Sequence, residues 1–305
     1  MDAAPDYMVI DLTAPCTDGR DTVSFHPSED SLPFEITNGL YKTHMLVMRK
    51  IPADGVRWMM GGAETEFNYQ SKWETRHYVT LTNDYFMAVY PVTQAQYAWF
   101  MKKEANCVFP GPDRPVDNVS YVGLRGNTSG HDWPADGHAV AEDSVLGTLS
   151  SYTDLDGFDL PTDAEWEYAC RAGCPTAFYD GTTLKVNEWE HPTLTNLAWT
   201  ADNADSQTHP VGLKTPNGFG LYDMLGNVAE WVLDWAVENH YGSDEVTAPT
   251  GGSGGTARFL RGGGWPHDER TNRIGAHQYQ GPTSGYVSNK PGSCGFRPVI
   301  PASFK

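Results

Sequence analysis

From Gly173 to Lys305 the chain hardly ever sustains a helical or a strand period. Short apolar pieces alternate with Gly, Asn and Pro to the end of the sequence. A stretch that long without periodicity cannot bury its apolar groups on one face of a helix or sheet. Tight turns and large rings have to fix it instead, and the 31 Gly, 10 Trp and 15 Tyr among 305 residues supply both. The expectation is a mixed α+β protein with low regular secondary structure. A helical bundle would carry more Ala, Leu, Glu and Lys.

Regular elements are expected mainly before that point. Tyr7 to Leu12, Thr43 to Ile51 and Arg57 to Gly62 read as strands, the last ending in a glycine turn. Tyr78 to Thr82 and Tyr85 to Tyr90 read as strands separated by an Asn83-Asp84 turn. Thr93 with Gln96 and Thr162 with Glu165 form capping boxes that open two helices. Tyr97, Phe100 and Met101 give the first helix a core face; Trp166, Ala169 and Cys170 do so for the second, which Gly173 closes. Gly123 to Ser151 reads as a loop or insertion with a short helix from Val140 to Leu149. No internal repeat of fixed period is visible.

Net charge is −18. Such a surface repels a phosphate backbone, so nucleic acid is excluded as an expected partner. No run of apolar residues is long enough to span a membrane. The first residues, MDAAPDY, lack the basic and apolar regions of a signal peptide. Localisation is therefore expected to be cytoplasmic by default, with surface display compatible. Five cysteines without a CxxC pair give no disulfide framework and no Cys/His metal spacing.

Five ordered segments carry a family resemblance. They are Tyr90-Pro91-Val92-Thr93 to Tyr97; Arg114-Pro115-Val116 to Tyr121; Leu160 to Gly173 (LPTDAEWEYACRAG); His209 to Gly212 with Pro216 through Trp231 (PNGFGLYDMLGNVAEW); and Arg258 to Trp265 (RFLRGGGW), closing with Gly295-Phe296-Arg297. Together they resemble the formylglycine-generating-enzyme, or sulfatase-modifying-factor, family over roughly residues 45 to 299. The resemblance implies a C-type-lectin-like fold over residues 45–305, with residues 1–44 as an extension packed on it, adding an edge strand or a small lobe. Because Gly251 to Gly255 (GGSGG) lies between these motifs, it reads as a flexible loop and not as a linker between domains.

The family's oxidase activity rests on paired cysteines, just after the glycine motif, that bind copper. By spacing, His267 and Asn272 stand at those positions here. One imidazole and one amide do not replace two soft thiolates, so no catalytic residue is assigned. The remaining enzymatic alternative is a metal-dependent oxidase or oxygenase using His in place of Cys, with His267, His277 and His240 converging. None of the ten histidines shows HxxxH spacing.

The resemblance also implies a structural Ca²⁺, held by side-chain oxygens of Asp223 and Glu230 and carbonyls of Gly226 and Val228, donors that suit a hard cation. No organic cofactor is expected. Without a cation, Asn227 and Glu230 would form a hydrogen-bonded core network, and Glu230 would need an Arg or backbone donors, because a bare buried carboxylate is costly.

Between RGGGW and GFR the segment from Pro266 to Ser293 mixes charges, amides, hydroxyls and rings without an apolar period. That composition suits recognition. The candidate ligand-binding residues are Trp265, His267, Asp268, Glu269, Arg270, Asn272, Arg273, His277, Gln278, Tyr279, Gln280, Thr283, Tyr286, Ser288 and Asn289. The segment resembles the variable region of proteins diversified by retroelements. Their adenine-directed mutagenesis does not reach Glu, Gln, Lys, Met or Trp, and only Glu269, Gln278, Gln280 and Lys290 here fall outside the reachable set. The expectation is a non-catalytic binding protein that takes a protein or peptide ligand on this surface.

Overall fold

A computed structural model describes residues 5–14, 22–126, 132–135, 139–185, 191 and 193–303. Cys16, His131 and His138 lie outside the described residues.

The first sheet is built from β1 (Tyr7–Asp11), β2 (Val23–His26), β3 (Met45–Ile51), β6 (Tyr85–Ala88) and β12 (Val299–Pro301), in the order β12-β6-β3-β1-β2. Tyr7, Met8, Val9 and Ile10 are all buried, so both faces of β1 are covered. β1 pairs with β3 from Tyr7↔Arg49 to Asp11↔Met45 and with β2 on its other side. The N-terminal stretch thus supplies an interior strand, with β2 at the edge.

β4 (Arg57–Met60) and β5 (His77–Thr80) pair antiparallel and take β8 (Val246–Thr247) as a third strand. The two strands flanking Asn83-Asp84 are therefore not partners: β5 belongs to this sheet and β6 to the first. The Asp84 carboxylate explains the separation. It accepts from the backbone N–H of Ala53 and Asp54 and pairs with Lys50 at 2.9 Å, tying the turn to the end of β3. At the end of β4, Gly61 has φ +99°, and a Cβ there would lie 2.6 Å from the Glu74 carbonyl oxygen.

Both capping boxes form. Between β4 and β5 lies the single turn α1 (Ser71–Glu74); α2 (Gln94–Met101) starts at Thr93, followed by α3 (Tyr121–Arg125). α4 spans Val145–Thr153, starting later than the expected helix, with the Ser144 hydroxyl accepting from Gly147 N–H. α5 (Asp163–Arg171) starts at Thr162 and ends through left-handed Ala172 and Gly173. α6 is Leu194–Leu197.

The third sheet, β10-β9-β7-β11, carries the C-terminal motifs: β7 (Ala229–Trp235), β9 (Arg258–Arg261), β10 (Gln278–Gln280) and β11 (Cys294–Gly295). Every residue of β7 and β9 is buried, including Glu230, Asp234, Arg258 and Arg261. Trp166 and Val232 share one apolar cluster, and Trp231 and Leu260 share another. The GGSGG loop lies against β7: a Cβ on Gly251 would come within 2.5 Å of the Asp234 carboxylate, and one on Gly255 within 3.4 Å of the Trp235 side chain. Among the described residues, Cys107, Cys170, Cys174 and Cys294 are free thiols, and no helix is long and apolar enough to cross a membrane.

Candidate recognition surface and the buried charges beneath it

The segment after β9 runs from Trp265 to Gly292 and dips back into the core at residues 272–276 and 278. Trp265 is only 8% exposed; its indole N–H donates to the Gly292 carbonyl at 2.8 Å, and Phe109 packs edge-on against its ring. The two ends of the segment are therefore clamped together. Between them the side chains divide into two sets.

The inward set departs from the expected surface. Asn272 is fully buried; its side chain accepts from Gly264 N–H and donates to the carbonyls of His267 and Asp268. The two positions that resemble the family's cysteines do meet, but through an amide tying a turn. Arg273 is also fully buried, donating to Glu66 at 2.7 Å and to both Glu74 oxygens at 2.9 and 3.0 Å. The His277 side chain lies 2.9 Å from Asp163 and within hydrogen-bond distance of Arg261. Gln278 is buried on β10. These four residues and the Trp265 clamp are parts of the scaffold. Asn272, Arg273 and His277 are polar because each completes a buried network, and a buried charge without such partners would be costly; the Gln278 side-chain oxygen is buried without a partner among the described residues.

The outward set remains. Tyr279 is 52% exposed, and its ring meets Trp73 at 5.8 Å. Tyr286 is 37% exposed, and Thr283, Ser288 and Asn289 are exposed. Ser288 and Asn289 both adopt φ +56°, making a turn held by Lys290 N–H on the Val287 carbonyl, with the Val287 side chain buried beneath it. Gln280 is half-buried; its amide donates to the Tyr286 carbonyl and accepts from Gly281 N–H, bracing the loop from within. Half-buried His267 reaches Ser288 at 3.3 Å, Glu269 is half-buried, and Arg270 pairs with Asp268 beside them. Burial pushes the His267 imidazole down to about 4, against the opposing pull of Asp268, so the ring is neutral at pH 7.

A charged layer that the sequence reading missed underlies this surface. Asp163, Glu167 and Arg171 are buried at i, i+4 spacing on α5. Arg261 pairs with Asp163 and Glu167, while Asp234 accepts from Asp163 N–H and from the Tyr241 hydroxyl. Burial and the neighbouring Asp163 charge push Asp234 upward. For Asp163 the same burial is outweighed by Arg261 and His277, and its carboxyl is held below the usual range. The three-charge spacing on α5 was the available signal.

The calcium donor set does not fit its expected role. Glu230 accepts from the Trp166 indole at 2.7 Å and from Arg297 through both oxygens, the nearest contact being 2.8 Å. Arg297 also donates to the carbonyls of Ala88, Val89 and Tyr222. A divalent ion on Glu230 would have to displace a guanidinium anchored at several other points. Asp223 accepts from Gly212 N–H with one oxygen and keeps the other buried and unpartnered; burial pushes its carboxyl up to about 6. The Asn227 side chain is committed to the N–H and carbonyl of His209. The His-metal alternative meets a similar obstacle, since His277 is committed to Asp163 and Arg261. Among the described residues no group of three His, Cys, Asp or Glu could hold a metal ion.

Fold and site together define a C-type-lectin-like scaffold of the formylglycine-generating-enzyme type. Residues 48–302 match the sulfatase-modifying factor enzyme 1-like domain, and the chain belongs to that family. It is 34% identical to the formylglycine-generating enzyme of Streptomyces coelicolor over 158 residues, covering 48% of this chain and 48% of that enzyme. It is 30% identical over 220 residues to the chaperone protein LppX of Paenibacillus barcinonensis, covering 64% of this chain and 74% of LppX. The chain thus spans about half the length of the Streptomyces relative. Among solved structures, Treponema denticola variable protein 1 superposes with a TM-score of 0.66 at 24% identity, covering 84% of this chain and 95% of that one. PvdO from Pseudomonas aeruginosa superposes with a TM-score of 0.62 at 22% identity, covering 84% and 94%.

Proposed function

We propose that this protein is a non-catalytic binding scaffold whose recognition surface is the outward half of the clamped segment: His267, Tyr279, Thr283, Tyr286, Ser288 and Asn289, flanked by Asp268, Glu269 and Arg270. The target class is a protein or peptide. One observation carries the reading. Within a single segment, scaffold side chains and free side chains are cleanly divided. The former are locked to Glu66, Glu74, Asp163 and Arg261, and the exposed Tyr279, Thr283, Tyr286, Ser288 and Asn289 stand outside those networks. Rigid rings beside small polar groups on a braced loop match the composition of adaptable binding surfaces. Loss of the thiolate pair from the family's oxidase position, with Asn272 used as a turn brace, supports a binding role over an oxidase one.

Diversification by a retroelement is the finer reading. The likeness in fold to a protein titled variable protein 1 is compatible with it. Further support comes from Gln278 and Gln280, two residues of a type beyond adenine-directed change. One is buried on β10 and the other braces the loop.

The test is a display library that randomises Thr283, Tyr286, Ser288, Asn289 and Tyr279 and is selected on lysozyme as a model protein target. The expected result is that most clones stay folded and that selection yields binders. A library in which most clones unfold would overturn the reading, as would one that yields no binder.

A further inference from the structure

One cavity without acidic lining lies away from the recognition segment. A cavity of about 180 Å³ opens between the end of β4, the start of β5 and the end of α5. It is lined by Trp58, Met59, Tyr168, Cys174, Pro175 and two arginines, with glycines 61 and 173 completing the wall. No Asp or Glu lines it, although the chain carries a net charge of −18.

The two arginines differ in kind. Arg171 is satisfied: it donates to Glu167 and to the carbonyls of Gly61 and Thr176. Arg76 is exposed and makes one long bond, 3.4 Å, to the Pro175 carbonyl. Among the described residues it forms no ion pair. Its guanidinium is a planar fork of donors suited to a carboxylate. Beside it the wall is aromatic. The Trp58 and Tyr168 rings meet at 5.5 Å and 52°, and the Tyr168 hydroxyl is anchored on the Pro52 carbonyl at 2.7 Å. The half-buried Cys174 is part of the wall, its thiol hydrogen-bonded to Thr176 and to the Phe178 carbonyl.

We propose that this cavity is a binding site for a small aromatic monocarboxylate. The ring packs on Trp58, Tyr168 and Met59, and the carboxylate pairs with Arg76. The volume falls below the roughly 300–1,000 Å³ of pockets for drug-sized ligands, which limits the occupant to about one ring. The pairing of an apolar wall with one unmatched cation selects an anion over a neutral or cationic molecule of the same shape. The site is independent of the recognition surface and stands whether or not that surface binds protein.

Phenylacetate is the probe, with 2-phenylethanol and phenethylamine as neutral and cationic counterparts. Alkylation of Cys174 by iodoacetamide, followed by peptide mass mapping, reads occupancy, and free glutathione alkylated in the same mixture serves as the control. Phenylacetate is expected to slow alkylation of Cys174 and not of glutathione, and to bind about tenfold more tightly than either counterpart. Arg76→Gln, a change at an exposed position, is expected to remove that preference and leave weak binding of 2-phenylethanol unchanged. Three results would each overturn the proposal: no protection of Cys174 at millimolar phenylacetate, equal binding of phenethylamine, or an Arg76→Gln protein that keeps the preference.

Discussion

The Arg273 guanidinium is 2.7 Å from the Glu66 carboxylate, across 207 positions of sequence and in full burial. This contact, with Glu74 on the other side, ties the C-terminal segment to the loop around α1. Removing the arginine leaves two buried carboxylates with no cation. Arg273→Ala is expected to cost about 3–5 kcal/mol in urea unfolding. Tyr286→Ala, thirteen residues on and exposed, is expected to cost about 0.5 kcal/mol or less. Equal losses for the two would mean the division between scaffold and free side chains is wrong.

Glu230 is paired with Arg297 through both of its oxygens. Adding EDTA to the purified protein is therefore expected to move the melting temperature by no more than about 1 °C, and added calcium likewise. A rise of several degrees with calcium would show that an ion displaces or supplements Arg297.

Asp223 gives the stability a specific pH dependence. Its folded pKa, about 6, lies above the 3.8 of a free carboxyl because of burial. Between those values the folded state holds a proton that the unfolded state has lost. Stability from this group is thus present at low pH and is lost as pH rises through about 6, by up to about 3 kcal/mol. Asp234, also raised, acts in the same direction. Chemical denaturation of wild type and Asp223→Asn at pH 5 and pH 7.5 isolates the first contribution. The variant is expected to show a smaller loss across that interval; the same loss in both proteins would count against the assignment.

His267 behaves oppositely. Its folded pKa, about 4, lies below the 6.5 of a free imidazole, so the stability it allows is full above about 7 and is lost as pH falls toward 4. Imidazole resonances followed by NMR are expected to show His267 still neutral at pH 6. A midpoint near 6.5 would place the ring in solvent and redraw that side of the recognition surface.

Much of the scaffold was legible in the sequence. Thr93 with Gln96 and Thr162 with Glu165 marked two helix starts because a capping box is a local contact. Five of the six strands of the first 90 residues were legible for the same reason, β2 being the exception, but not their partners. Nothing local in Tyr78 to Tyr90 reveals that Asp84 is held by Ala53 and Asp54, which sends β5 and β6 into different sheets. The recognition segment failed in the same way. Asn272, Arg273, His277 and Gln278 look like their exposed neighbours, since an aperiodic segment has no face to read. What buries Arg273 and His277 is an acid far away: Glu66 and Glu74 for one, Asp163 for the other. Glu230 was legible as a choice between a cation and an arginine, and Arg297 occupies it.

The Trp265 indole on the Gly292 carbonyl pins the two ends of the segment to each other. The entropy of such a closure grows only logarithmically with length, about 0.6 kcal/mol for each doubling. The exposed stretch from Gly281 to Pro291 can therefore gain or lose residues at small thermodynamic expense, provided that Val287 or a like side chain still plugs the core beneath it. Relatives built on the same clamp are free to differ in the length of this arc as well as in its composition, and so in the reach and curvature of what they can grip.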